Sequence, residues 1–398
     1  MREYDIRALC GSAISEEELI SIRREFHMYP ETSRNEFQTM ERIAALLDKW
    51  DVPYTKGVAT TGIVAHLEGK YPGQNIALRA DIDALPITEK NTDLPYCSRN
   101  EGAMHACGHD VHTTILLGAV KSLRSLNGEF AGNFSFFFQP DEEDTGGAKR
   151  MIAAGCLETP HHIDHVVGLH VHTLIPAGQV AVRYGKMYAA SDMFSITVCG
   201  KSSHGALPHE GIDAVVIASQ IVSAVQTIVS RNVDPTDAAT VTFGTIHGGR
   251  ARNQVCEEVV LTGIIRTLDP DTREFVCRRL EEIATAVASG LGGSAKVELT
   301  RSYDPLITDT AITDVVRAVA EKQLGRENVV LESGPQLTVE DFAYYAMQRP
   351  SSFYHLGCVT PGKDFAPLHN SSFNVDESCI AVGVRLQTEI ALTLAAGE

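Results

Sequence analysis

Phe134-Ser135-Phe136-Phe137-Phe138-Gln139-Pro140-Asp141-Glu142-Glu143-Asp144 is the stretch on which the fold turns. Phe134 to Phe138 is a short, compact apolar run of the kind that forms a strand buried on both faces. It runs directly into four carboxylates, and residues 148–154 then read as a short helix. Two more strand-like runs end the same way. One is Leu78-Arg79-Ala80-Asp81-Ile82-Asp83-Ala84-Leu85-Pro86, and the other is Gly168-Leu169-His170-Val171-His172. In open α/β sheets, ligands bind beyond the carboxyl ends of the strands. Three acidic or imidazole clusters at such ends therefore suggest one shared site. The bland alternative is three unrelated solvated loops, which fits poorly with a buried phenylalanine run pinning one of them to the core.

Outward from this centre, strands alternate with helical patterns. Ser15-Glu16-Glu17-Glu18 fits a capping box, followed by Leu19, Ile22 and Phe26 at helical spacing. A second helix is predicted over 36–50 and a third over 111–126, with strands at 62–67 and 75–78. The order indicates an α/β unit with a mixed, mostly parallel sheet. After Tyr184 the rhythm changes to β-α-β-β-α-β, the order of a ferredoxin-like α+β insert. The chain then returns to helices at 309–324 and 339–348, a strand at 353–357, and a closing helix from Asp376. The prediction is one α/β domain from residues 1–184 and 302–398, interrupted by a smaller domain at 185–301.

Composition narrows the function. The 398 residues carry 34 Lys and Arg against 51 Asp and Glu, a net charge of −17. Such a balance opposes nucleic acid or an anionic membrane surface as the main partner. The longest apolar stretch, Ile212 to Val229, is broken by Asp213, Ser219, Gln220, Ser223 and Gln226, so a half-buried helix is expected and not a membrane span. The charged start at Met1 to Asp5 gives no sign of a signal peptide. Nine scattered cysteines, an odd number, argue against a disulfide framework and for a reducing, cytoplasmic setting.

Met104-His105-Ala106-Cys107-Gly108-His109-Asp110-Val111-His112 places three imidazoles and a thiol at metal-ligand density, at the start of a helix. A nucleophilic cysteine with an adjacent histidine is the competing explanation. His105 and His112 could also cap or support, because not every histidine of the run can reach one ion. Glu142 and Glu143 are paired carboxylates, of which one could bind metal while the other moves protons.

Together these segments resemble the dinuclear-metal aminoacylase/carboxypeptidase family, in its amidohydrolase branch. The resemblance begins at Arg23-Arg24-Glu25-Phe26-His27-Met28-Tyr29-Pro30-Glu31 and takes in the three clusters and Met104 to His112. It continues through Gly200-Lys201-Ser202-Ser203-His204-Gly205-Ala206, Gly248 to Asn253 and Glu340-Asp341-Phe342, and ends at Leu368-His369-Asn370-Ser371-Ser372-Phe373. It implies a catalytic domain with an inserted lid and two divalent ions per chain. Zinc suits the thiolate and imidazoles best, with manganese, cobalt or nickel as other metals of the family. By resemblance, Cys107 bridges the metals, His109 and His170 complete one ion, and Glu143 and His369 the other. Glu142 is then the general base and Asp83 a carboxylate supporting the metal centre. In the lid, His204 corresponds to a residue that polarises the scissile carbonyl in related dimers, so a homodimer through the lid is expected. Asn253 and Arg266 match segments contacting the substrate's carboxylate; Arg266 could equally be an ordinary charged strand end. The substrate class implied is an N-acyl amino acid, with a dipeptidase, a carboxypeptidase or a non-catalytic metal-dependent peptide binder as alternatives. One departure stands out. Asp141 and Asp144 flank the glutamate pair where small residues are usual in this branch, and they should make Glu142 harder to ionise unless they point away into solvent.

Overall fold

The computed structural model describes residues 4–363 and 365–397, so part of the charged start, Met1 to Glu3, lies outside it. The helices are α1 (Ile6–Ala13), α2 (Glu16–Met28), α3 (Phe37–Lys49), α4 (His109–Arg124), α5 (Gly147–Ala153), α6 (Ala214–Thr227), α7 (Pro270–Gly290), α8 (Thr310–Leu324), α9 (Ala343–Ala346) and α10 (Ser378–Ala395). The first strands are β1 (Tyr54–Val58), β2 (Gly62–Glu68), β3 (Tyr71–Asp81), β4 (Ala131–Gln139), β5 (His165–Pro176), β6 (Val180–Val182) and β7 (Gly185–Tyr188). They are followed by β8 (Ala190–Cys199), β9 (Ala239–Gly248), β10 (Glu258–Thr267), β11 (Ser294–Arg301), β12 (Leu306–Thr308), β13 (Val329–Leu331) and β14 (Ser351–Val359).

The chain divides into two compact units. The first runs up to Gly185 and adds Ile307–Ser333 and everything from Tyr344; the second is Lys186–Leu306 with Gly334–Ala343. The return segment therefore gives residues 302–306 and 334–343 to the second unit, a division the sequence pattern does not reveal.

In the first unit, eight strands lie in the order β1-β2-β4-β3-β5-β14-β6-β13. The four central strands, β4, β3, β5 and β14, are mutually parallel. Antiparallel pairs occur nearer the edges, between β1 and β2, β2 and β4, and β14 and β6. The fold is thus α/β with a mixed, mostly parallel sheet. Helices α4 and α10 pack on each other and on β3. Phe134, Phe136, Phe137 and Phe138 are all fully buried, each contributing roughly 1.5–3 kcal/mol of hydrophobic stabilisation. This anchors the acidic loop after β4 to the core.

In the second unit, four antiparallel strands in the order β11-β8-β10-β9 make the ferredoxin-like sheet. Helix α6 turns Ala214, Ile217, Ala218, Ile221 and Val225 inward and leaves Val215 and Val216 about half exposed. Ala214–Asn232 and Ser378–Ala395 are both long and apolar enough to cross a membrane by composition; the latter is two-thirds buried inside its unit, as core helices are.

Candidate metal centre and active site

The three clusters do converge, because β4, β3 and β5 are neighbours in the sheet. The fourth contribution comes from the start of α4. Gly108 caps that helix with φ 86°, and a Cβ there would stand 2.5 Å from Val171 Cγ2. Glycine meets both demands and so presents Cys107 and His109 on either side of a sharp turn. The His369 N–H donates to Ala106 O at 2.8 Å, which seats His369 beside Cys107.

Cys107 Sγ is 3.3 Å from His170 Nε2 and 3.3 Å from His369 Nε2. Glu143 Oε1 is 3.3 Å from His369 Nε2 and 3.8 Å from His109 Nε2. The donor atoms form two groups that share the sulfur, Cys107–His109–His170 and Cys107–Glu143–His369, with the atoms of each within 4.8 Å of one another. Glu142 joins His109 and Glu143 in a third.

Hydrogen bonds aim these side chains. His170 Nδ1 faces the Val171 carbonyl at 2.7 Å. A carbonyl only accepts, so Nδ1 carries the proton and Nε2 turns to the site. His109 Nδ1 lies 3.1 Å from Asp83 Oδ1 in the same sense, the arrangement that raises imidazole basicity at metal sites. Asp83 Oδ2 accepts from Ser33 Oγ at 2.6 Å and from the Glu143 N–H at 3.1 Å. Burial opposes its charge, but these bonds and His109 hold Asp83 below the usual carboxylate range.

Of the other two histidines of the run, one has both nitrogens engaged and one has neither. His112 Nδ1 bonds Asp81 Oδ1 at 2.6 Å, and its Nε2 accepts the Val171 N–H at 2.9 Å, so both nitrogens are used. Asp81, held also by Arg79 at 2.8 Å, is a supporting residue that the sequence reading quoted without a role. His105 is buried with neither ring nitrogen hydrogen-bonded among the described residues, and burial lowers it to about 4.

The electrostatics fit bound cations. Burial disfavours an imidazolium at His109, yet Asp81, Asp83 and Glu143 raise it to about 10. Burial, then Glu143, Glu142 and Asp81, push the Cys107 thiol well up. The His109 shift, won by the carboxylates against burial, marks a negative potential that favours positive charge at this point. His109 Nε2 and Glu143 Oε1 are buried without a hydrogen-bond partner among the described residues, leaving donor atoms that a cation would satisfy. Coordination also releases a thiol proton outright.

The flanking aspartates take different positions. The Asp144 side chain is 60 % exposed and lies 4.0 Å from Arg34. The Asp141 carboxylate is occupied by Thr145 and Arg150. Asp144→Gly should therefore leave the acidic limb of the pH–rate profile in place. A limb displaced to lower pH would show that Asp144 repels charge on Glu142 after all.

Three predicted residues stand in the second unit. His204 is exposed, and its Nδ1 accepts the Ala206 N–H at 3.1 Å. Asn253 is exposed and accepts the Gly205 N–H through its carbonyl at 2.8 Å. Arg266, half-buried on β10, donates to Ser191 Oγ at 2.7 Å; burial lowers its pKa, against the nearby Asp192 charge. Of the eight cysteines outside the site, six are buried, Cys97 is half-buried and Cys199 is exposed.

Comparison with known proteins gives concordant results. A model of peptidase family M20/M25/M40 matches residues 77–393. The chain is 41 % identical over 92 % of its length, and 85 % of the relative's, to an N-acetyl-L-cysteine deacetylase of Bacillus subtilis. It is 38 % identical to an N-acetyldiaminopimelate deacetylase of Enterococcus faecalis, covering 93 % of this chain and 96 % of that one. Among solved structures, a dinuclear metal-binding peptidase of the M20 family from Bacillus subtilis superposes with a TM-score of 0.84, at 29 % identity, over 96 % of this chain and 98 % of that one.

Proposed function

The chain belongs to peptidase family M20/M25/M40, and from that we propose that it is a metal-dependent amidohydrolase cleaving the amide bond of N-acyl amino acids into a carboxylic acid and a free amino acid. The observation that carries this is the pair of donor groups sharing Cys107, with Glu142 beside them. Cys107, His109 and His170 would hold one divalent ion, and Cys107, Glu143 and His369 a second. A thiolate with imidazoles favours zinc, with manganese, cobalt or nickel as further candidates. When bound, the ions supply Lewis acidity for the attacking water and the amide carbonyl.

The protein's own groups do the rest. Glu142 takes a proton from the attacking water and delivers it to the leaving amine nitrogen. Asp83 keeps His109 in its Nδ1–H tautomer, and Asp81 does the same for His112. We assign His204 to the oxyanion, and Asn253 and Arg266 to the substrate's carboxylate. Residues 1–184 and 302–398 would then be the catalytic domain and 185–301 the lid. The exposed valines of α6 support a lid-mediated homodimer, which sedimentation would test. Nine unpaired cysteines suit a cytoplasmic setting.

The decisive test is a hydrolysis screen of N-acetyl amino acids, N-benzoyl amino acids and dipeptides, with added zinc or manganese. Turnover of the N-acyl amino acids is expected. Preference for dipeptides would make the enzyme a dipeptidase. No turnover on any of them, with metal content verified, would identify a binder.

A further inference from the structure

Ser33, Arg34, Asn35 and Glu36 form a turn just before α3, and Glu36 is fully buried there. Its Oε1 accepts two backbone N–H groups, from Arg34 and from Asp141, both at 2.9 Å. Its Oε2 accepts Thr61 Oγ1 at 2.7 Å. The two residues whose N–H groups it holds are left-handed without being glycine, Arg34 at φ 69° and Asp141 at φ 59°. Such conformations persist where the surroundings over-determine them, commonly at functional sites. Asp141 is the residue that turns the chain from β4 into Glu142 and Glu143.

The same turn reaches the metal site a second way, since Ser33 Oγ bonds Asp83, which holds the Glu143 N–H. The Glu142–Glu143 pair is thus gripped at both ends by buried carboxylates, Glu36 on the Asp141 N–H and Asp83 on the Glu143 N–H. We propose that Glu36 is a positioning residue for the reaction, fixing the Glu142–Glu143 turn from the Asp141 side as Asp83 fixes it from the Glu143 side. Burial and the nearby Asp83 charge raise Glu36 to about 7. A carboxylate kept where charge is unfavourable points to a role beyond packing.

The inference rests on the amidohydrolase assignment, so wild-type turnover in the substrate screen is measured first. If the wild type turns over nothing, that assignment falls. If the wild type is active and the variants below behave otherwise than expected, only the role of Glu36 falls. In Glu36→Ala, kcat should drop about 10–100-fold, as for other residues supporting a metal site, with KM changed less than about threefold. Metal loss to a chelator should quicken, because Glu143 is no longer held. Glu36→Gln should recover most of kcat, since its amide oxygen still accepts both N–H groups and its NH₂ can meet Thr61. Glu36→Asp keeps the charge but withdraws it by about 1.5 Å, and should resemble the alanine variant. If the alanine variant does not fold, the Gln and Asp variants decide. The proposal is overturned if Glu36→Asp or Glu36→Ala keeps kcat within about twofold of wild type with unchanged metal release. It is equally overturned if Glu36→Gln is as impaired as the other two.

Discussion

Glu142→Gln is expected to lower kcat by about 10²–10⁴-fold, the usual contribution of a general base, while metal content stays at the wild-type level. Gln matches Glu in size, so the largely buried position (8 % exposed) should keep its packing. What changes is the ability to accept a proton. Glu142 stands outside both of the donor groups that share Cys107, so under this assignment metal should stay bound without its charge. The experiment pairs turnover on the best substrate with metal analysis of the same sample. Wild-type turnover would place the base elsewhere. Loss of metal would make Glu142 a ligand and reverse its role with Glu143.

Cys107→Ala should have the second large effect. Its sulfur is the one atom common to both three-donor groups and lies 3.3 Å from an Nε2 of each. Removing it leaves two donors for either ion, fewer than the three protein ligands of usual catalytic zinc sites. The metal-to-protein ratio should fall sharply and turnover should drop below detection. The same variant separates the cysteine-nucleophile alternative, which predicts lost activity with metal content intact. Alkylation of wild type adds a check, because under the metal assignment bound ions should protect Cys107 and a chelator should expose it.

How much of this was legible beforehand depended on whether the signal was local. The helix starting near Ser15 showed itself because Ser15 Oγ accepts the Glu18 N–H at 3.1 Å, a bond between residues three apart. The longer buried strands, such as β4, showed themselves as apolar runs. Strands β1, β6, β7, β12 and β13 were missed: they are three to five residues long, and β1 and β13 are edge strands with mostly exposed side chains and no buried alternation to read. Helix α1, capped by Asp5 through the Ala8 N–H, was also missed, its eight residues being too few for a clear period. The helix predicted over 339–348 shrinks to Ala343–Ala346, because the Glu340 side chain accepts the Phe342 N–H at 2.9 Å and holds a turn there.

By itself the sequence determined the fold class and gathered a set of candidate metal-binding side chains, because residue type and short-range pattern carry that information. Only the tertiary structure decided which histidines face the site. His109 and His112 are chemically identical and three residues apart; one keeps Nε2 for the site and the other gives it to the Val171 N–H. The surroundings of Glu36 and Asp144 were likewise decided there, one buried against Asp141 and the other turned to solvent. Carboxylates of the same chemistry take opposite roles because hydrogen-bond partners and burial come from chain segments far apart in sequence, which no local pattern encodes.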